Sequence, residues 1–383
     1  MKKIPNGRQI VDNKDILAVS KSLKKNLITT GELVKKFELK IKNVLKSNYV
    51  KVCSSGTAGL HLSLMAIGLK KNDTIIMPSI NFIAVYNLSK TLGAKVVLAD
   101  VDKFTGQMTP ETLKECIKRN KLKKIKAIVT MYLGGYPENI IDFYQIKKKY
   151  KCYLIEDACH ALGSQYKFKN KYYNIGSCKH SDISVFSLHP LKTITTGEGG
   201  IVCTNNKNLD FKVENLRSHG IKKTKKHWIY NVQDHGYNYR LSDINCALGI
   251  SQIKKMNFFI KKRKKISDIY SKKLKNNFNI PKYQLSNKSA YHLSLINLKT
   301  TDLNLKNRII EYMCKFKINL HYHYIPIFKM KKIFKEKKFN EKHYSGALNY
   351  FNTTISLPIY VNMSLNEQNL VIKKLNNFYN NLK

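Results

Sequence analysis

From about residue 50 the chain alternates short apolar runs with longer segments whose apolar residues recur at helical spacing. "YVKVCSS" (49–55) reads as a strand. "TAGLHLSLMAIGLK" (57–70) reads as a helix, with Leu60, Leu64 and Ile67 on one face. "DTIIMP", "AKVVLADV", "KKIKAIVTMYL", "YLIEDA", "DISVFSL" and "GGIVCT" each hold a brief β-rich run. Such runs separated by helices predict an α/β architecture with a mainly parallel sheet. Near residue 250 the pattern changes. Residues 241–277, "LSDINCALGISQIKKMNFFIKKRKKISDIYSKKLKNN", read as one long, basic helical stretch. A strand in "AYHLSLINL", a helix around "KNRIIEYMCKFK" and a last helix in "SLNEQNLVIKKLNNFYNNL" follow. The pattern predicts a large domain over 1–255 and a smaller C-terminal α/β domain over 256–383.

Composition changes this picture little. A hydrophobic content of 43% in 383 residues is enough for a sizeable core and argues against disorder. The formal net charge of +44 on its own suggests an acidic partner such as nucleic acid. The basic residues are mostly lysines spread among Asn and Ile along the whole chain, so a compositional habit explains them better than a binding patch. Such a field would still draw in a phosphate-bearing substrate. The eight cysteines are dispersed with no C-x-x-C pair, which predicts free thiols in a reducing compartment and no metal site. The first residues lack the apolar run of a signal peptide, and no stretch approaches the length of a spanning helix. The expectation is a cytoplasmic protein with neither membrane nor nucleic acid as partner.

Four segments at predicted strand ends carry candidate chemistry. In "CSSGTAGLHL" a strand gives way through Gly56 to a helix beginning near Thr57. The amides of a helix N-terminus beside Ser/Thr hydroxyls suit a phosphate, although Ser55 or Thr57 as a plain N-cap explains the text equally. In "YLIEDACHALG" Glu156 and Asp157 close an apolar strand, with His160 three residues on. A buried acid needs a cationic partner or hydrogen-bond donors. Asp157 reads as an N-cap or as a carboxylate that keeps a proton on a ring nitrogen. In "SLHPLKTITTGEGG" Lys192 stands in a polar, glycine-rich tract after a strand, apart from the lysine-rich surface runs. Burial there would lower its pKa, and a neutral amine condenses with an aldehyde; a solvated surface lysine is the plain alternative. In "HGYNYRLSDINCALG" Asn238 reads as a loop residue. Phosphate cradle, strand-end aspartate and lysine, in that order, are what pyridoxal 5'-phosphate (PLP) requires.

The segments "SSGTAGLHL", "IEDACHALG", "FSLHPLKTITTGEGG", "GYNYRLSDINCALGISQ" and "HYIP" resemble the signatures of the DegT/DnrJ/EryC1/StrS sugar aminotransferases, in order, from about Thr29 to Glu367. The resemblance implies PLP-dependent transferase fold type I, the aspartate-aminotransferase fold, in a homodimer with shared active sites. Carried over by position, Lys192 would hold the cofactor aldehyde and shuttle the proton, and Asp157 would pair with the ring nitrogen. His160 would face the ring hydroxyl. Gly56, Thr57 and Ser187 would bind the phosphate, Asn238 would reach it from the partner subunit, and Phe82 would stack on the ring. Arg217, His219 and His323 become candidates for the nucleotide diphosphate.

The segment from "FKVENLRSHGIKK" to "GYNYRLSDINCALGISQIKK" is most similar to members that aminate C4 of a UDP-linked 4-keto-6-deoxy-N-acetylhexosamine. The implied reaction moves an amino group from glutamate to C4 of a nucleotide-diphosphate keto sugar for surface-glycan synthesis. Amination at C3 and sugar dehydration are the alternatives. The dehydrating branch of the family carries His in place of the lysine, so Lys192 favours transamination. Leu188, Asn81 and Tyr132 depart from the residues usual in the family. Asn81 and Tyr132 are expected near the substrate.

Overall fold

The computed structural model describes residues 3–224, 228–336 and 338–380. Its strands are β1 (Tyr49–Cys53), β2 (Thr74–Pro78), β3 (Lys95–Ala99), β4 (Ala127–Met131), β5 (Tyr153–Asp157), β6 (Gln165–Phe168), β7 (Lys171–Asn174), β8 (Ile183–Ser187), β9 (Gly200–Thr204), β10 (Ile221–Lys223), β11 (Tyr230–Val232), β12 (Ser294–Asn297) and β13 (Thr354–Leu357). Seven of them form one sheet in the order β1-β9-β8-β5-β4-β2-β3. All run parallel except β9, which is antiparallel to both β1 and β8. These are the seven apolar runs read from the sequence. They lack strict alternation because helices cover both faces of the sheet, as parallel sheets require.

One core packs the helices Gly56–Ala66 and Ala84–Thr91 against the sheet through Leu60, Leu64, Val85, Ile155 and Val185. Val52, Phe186, Ile201 and Phe37 form another, with Ile76, Ile128 and Leu154 in a third. The C-terminal part has its own cluster, in which Ile266, Tyr270, Ile309, Leu357 and Val371 pack together. Ile4 belongs to that cluster and bridges to Ile318, so the start of the chain packs with its far end.

The stretch expected as one helix over 241–277 is two, Asp243–Ile253 and Met256–Leu274. The division drawn at residue 255 falls at this break. The hairpins β6–β7 and β10–β11 had no apolar run to reveal them: β11 is exposed at every position, and β7 is exposed or half-buried.

Parallel strands put their carboxyl ends on one edge of a sheet, where open α/β folds bind ligands. Asp157 ends β5, Ser187 ends β8, and the helix Gly56–Ala66 starts three residues after β1. Register sets Asp157 opposite Val185 on one side and Met131 on the other.

Candidate active site

The cradle begins at Ser55, whose side chain accepts the Ala58 N–H at 3.0 Å and so caps the helix. Gly56 follows. A Cβ added there would lie 2.8 Å from Ser187 Cβ and 3.2 Å from its Cα, so only glycine lets the helix start against the end of β8. The first amides of that helix have no intrahelical partner. They stand beside Ser187 at the floor of a cavity of about 400 Å³, which Thr57, Phe82, Asp157, His160 and Lys192 also line.

Lys192 is half-buried. Burial lowers its amine's pKa, offset in part by Cys159 and Asp157 and reinforced by Arg263. Among the described residues no ion pair holds it. Asp157 is buried, and its Oδ1 accepts the Cys159 N–H at 3.3 Å. Burial raises its pKa, while Cys159, Lys192 and Asn81 draw it down. A cationic ring nitrogen beside this carboxyl would favour the carboxylate, so the site fits a protonated pyridine. An aldehyde fits a lysine held toward its neutral form, and a phosphate fits the tight cradle at Gly56.

His160 is buried between two elements. Gly134, at φ 73°, sits in the left-handed region that glycine tolerates, and its N–H donates to His160 Nδ1 at 3.3 Å. His160 Nε2 lies 3.1 Å from the Tyr324 hydroxyl. Burial, then Lys192 and His323, hold its pKa well below the ordinary imidazole range. Phe82 is half-exposed at the rim, with its ring centroid 6.0 Å from that of Tyr324.

The substrate candidates separate. His323 lines the cavity, with Nδ1 2.8 Å from Ser356 Oγ. Burial, with His321 and Lys192 nearby, pushes its pKa down to about 3. Arg217 does not reach the cavity. Its guanidinium is buried, donating to Glu38 at 2.6 Å, to the Val52 carbonyl at 2.6 Å and to both Glu214 oxygens at 2.7 Å. Glu38 and Val52 come from distant parts of the chain and Glu214 from the same helix, and together they spend the charge expected for substrate on the fold. His219 is exposed and outside the cavity lining, and its N–H donates to the Tyr237 carbonyl. Asn238 is also exposed and outside the lining, in a bridge with Ser218.

Tyr132, expected near the substrate, is buried and outside the cavity lining, and its hydroxyl donates to Glu156 at 2.8 Å. Asn81 is likewise fully buried, beside Asp157. Leu188 is buried and its N–H donates to the Gly199 carbonyl.

The cavity is also lined by residues that no sequence motif singles out, Tyr324 and His292 among them. Tyr324 follows His323 in "HYIP". His292, in a segment read only as a strand, packs its ring 4.1 Å from that of His160 and leaves a buried Nδ1 without a partner. Among the described residues there is no cluster of metal-ligating side chains and no helix long and apolar enough to cross a membrane.

Residues 9–376 match the DegT/DnrJ/EryC1/StrS aminotransferase family. The chain is 36% identical to UDP-4-amino-4,6-dideoxy-N-acetyl-beta-L-altrosamine transaminase of Campylobacter jejuni subsp. jejuni serotype O:23/36 (strain 81-176), over 96% of this chain and 95% of that one. Its structure is similar to Helicobacter pylori PseC, an aminotransferase involved in the biosynthesis of pseudoaminic acid, with TM-score 0.91, 28% identity and coverage of 99% and 100%. The PLP-form of the sugar aminotransferase Spr1654 from Streptococcus pneumoniae shares the fold, with TM-score 0.91 at 23% identity over 100% of both chains.

Proposed function

The chain belongs to the DegT/DnrJ/EryC1/StrS aminotransferase family, and on that premise we propose that it moves an amino group from glutamate to C4 of a nucleotide-linked 4-keto-6-deoxy sugar. The observation that carries this reading is one cavity in which Lys192, Asp157 and Ser187 meet the capped helix start at Gly56. Pyridoxal phosphate, when bound, supplies an aldehyde for the amino group and a ring that withdraws electrons from the reacting carbon.

The residues divide the remaining work. The amides of Gly56 and Thr57 and the hydroxyl of Ser187 hold the phosphate. Asp157 keeps a proton on the ring nitrogen. Lys192 Nζ holds the aldehyde, then takes a proton from the reacting carbon of glutamate and later returns one to the sugar carbon. Phe82 covers the ring face and excludes water. Asn238, exposed and outside the lining of its own cavity, serves the phosphate of a second copy in a homodimer.

The C4 assignment is supported by the similarity to the Campylobacter jejuni UDP-4-amino-4,6-dideoxy-N-acetyl-beta-L-altrosamine transaminase. All eight cysteines are free, which supports a reducing, cytoplasmic setting for surface-glycan precursor synthesis.

The test is a spectrum of the purified protein with PLP from about 300 to 500 nm, first with glutamate and then with candidate 4-keto sugar nucleotides. The cofactor band should bleach with glutamate and return with the correct sugar. A band that glutamate leaves untouched rules out the amino donor. A bleached band that no 4-keto sugar restores rules out the acceptor class.

A further inference from the structure

The Tyr324 hydroxyl has one proton, and the surrounding hydrogen bonds decide where it goes. A backbone amide can only donate, so His160 Nδ1, which takes the Gly134 N–H at 3.3 Å, carries no proton. Burial and the neighbouring Lys192 and His323 keep this imidazole neutral, so its hydrogen is on Nε2. Across 3.1 Å that hydrogen is donated to the Tyr324 oxygen. Tyr324 is therefore the acceptor in this pair and its own O–H turns elsewhere. Burial, with Asp157 and Cys159 beyond it, holds the phenol well above its ordinary pKa, so the proton stays on the oxygen. Among the described residues no acceptor takes it.

The ring of Tyr324 forms part of the cavity wall with Phe82, His160 and Lys192. Lys192 lines the same cavity as His160, whose Nε2 meets the Tyr324 hydroxyl at 3.1 Å. Tyr324 and Lys192 therefore line the same space, the one in which a reacting carbon held by Lys192 would lie.

We infer that Tyr324 is a catalytic residue: its hydroxyl donates a hydrogen bond to the oxygen on the substrate carbon where amine and carbonyl are exchanged. The inference rests on the aminotransferase reading above. As the amine adds to the carbonyl carbon, the carbon–oxygen double bond opens and negative charge gathers on oxygen. That oxygen then leaves as water with the two protons the amine gives up, while Tyr324 keeps its own. A fixed donor at a developing oxyanion in a closed site is worth about a hundred- to a thousandfold in rate. His160 acts through Tyr324 as a positioning residue, since its Nε2–H fixes which way the phenol proton points.

The experiment uses the PLP-loaded Tyr324→Phe protein, which keeps the ring and loses the hydroxyl, beside the wild type. Each half-reaction, glutamate in and keto sugar in, is followed separately by rapid mixing. Both make or consume a carbonyl at the reacting carbon, so both should slow by about a hundred- to a thousandfold. The resting cofactor band, its pH midpoint and the PLP affinity should not move. Unchanged rates overturn the inference. A loss confined to the sugar half-reaction also overturns it, by assigning the hydroxyl to another sugar oxygen. A shifted pH midpoint of the resting band overturns it in favour of a bond to the cofactor. If Y324F does not bind PLP, 3-fluorotyrosine at position 324 keeps the shape and makes a more acidic donor. A change in both rates with an unmoved band supports the inference there, and no change overturns it. A wild type that exchanges neither substrate means that the aminotransferase reading has failed, independently of Tyr324.

Discussion

At the residue scale, one lysine among 69 Lys+Arg is set apart by its surroundings. Lys192 sits in the cavity floor, where burial favours its neutral form. If its nitrogen moves the proton, Lys192→Ala loses the general acid–base contribution of about a hundred- to ten-thousandfold and the hold on the aldehyde as well. Turnover should fall to that extent or further, with the melting temperature within a few degrees of wild type, since a half-buried lysine without an ion pair contributes little to the fold. Steady-state assays and a thermal melt on one preparation check both. Near-normal turnover would remove Lys192 from the mechanism.

Arg217 gives the opposite prediction. Removing one partner of a buried ion pair costs about 3–5 kcal/mol, so Arg217→Ala should shift urea unfolding strongly while leaving the sugar-nucleotide KM of the folded fraction unchanged. A raised KM with full stability would return Arg217 to the substrate. The contrast shows what the sequence could and could not reveal. Lys192, Asp157 and Ser187 were legible because each follows an apolar strand in a tract whose polarity lacks another reason. Arg217 was not, because Glu38, one of its partners, lies 179 residues away. Tyr324 and His292 were not, because their meaning comes from His160, and only the folded chain brings the three together.

At the scale of elements, apolar runs revealed the seven sheet strands, since burial on both faces leaves a compact hydrophobic signal. Helix breaks were harder to read. Basic residues continue through Lys254 and Lys255 with no glycine or proline to mark the turn. The helix Leu303–Lys315 hides another feature of this kind. Lys306 is fully buried, donates to the Phe351 carbonyl, and lies 4.1 and 4.3 Å from the ring centroids of Tyr322 and Phe351. Burial pushes its pKa down to about 7. In the unfolded chain a lysine titrates near 10.4. Below about pH 7 both states are protonated and the fold bears the whole cost of burying the charge. Between about 7 and 10.4 the unfolded chain holds a proton that the folded chain has released, so stability rises with pH across that window. Urea unfolding of wild type and Lys306→Met at pH 7 and pH 10 tests this. The stability difference between the two should move in favour of wild type as pH rises. A difference that stays constant would mean that the ammonium remains charged in its aromatic cage. The outcome bears on the site as well, because Tyr322 adjoins the His323–Tyr324 wall.

At the scale of the whole molecule, Gly56, Thr57, Phe82, Asp157, His160, Ser187 and Lys192 line one cavity of a single chain, whereas Asn238 is exposed and outside that lining. The exposed faces of Trp228, Tyr230, Val232 and Tyr237 nearby extend the same surface. If Asn238 serves a phosphate as proposed, that phosphate belongs to a neighbour's site, and in a two-fold dimer each copy would serve the other. This can be separated from a purely structural role by mixing two defective proteins. Lys192→Ala retains Asn238 to lend, and Asn238→Ala retains Lys192 to use. Neither homodimer has a complete site. A mixed dimer has one, built from the lysine of one copy and the asparagine of the other. Random exchange places half the protein in mixed dimers, each with one good site of two, so activity should climb to about a quarter of wild type above the residual rate of the parents. The rise should follow subunit exchange in time and disappear if exchange is blocked by a cross-link. If exchanged mixtures show no gain, Asn238 does not complete the partner's site, and the phosphate must be held by Gly56, Thr57 and Ser187 within one chain.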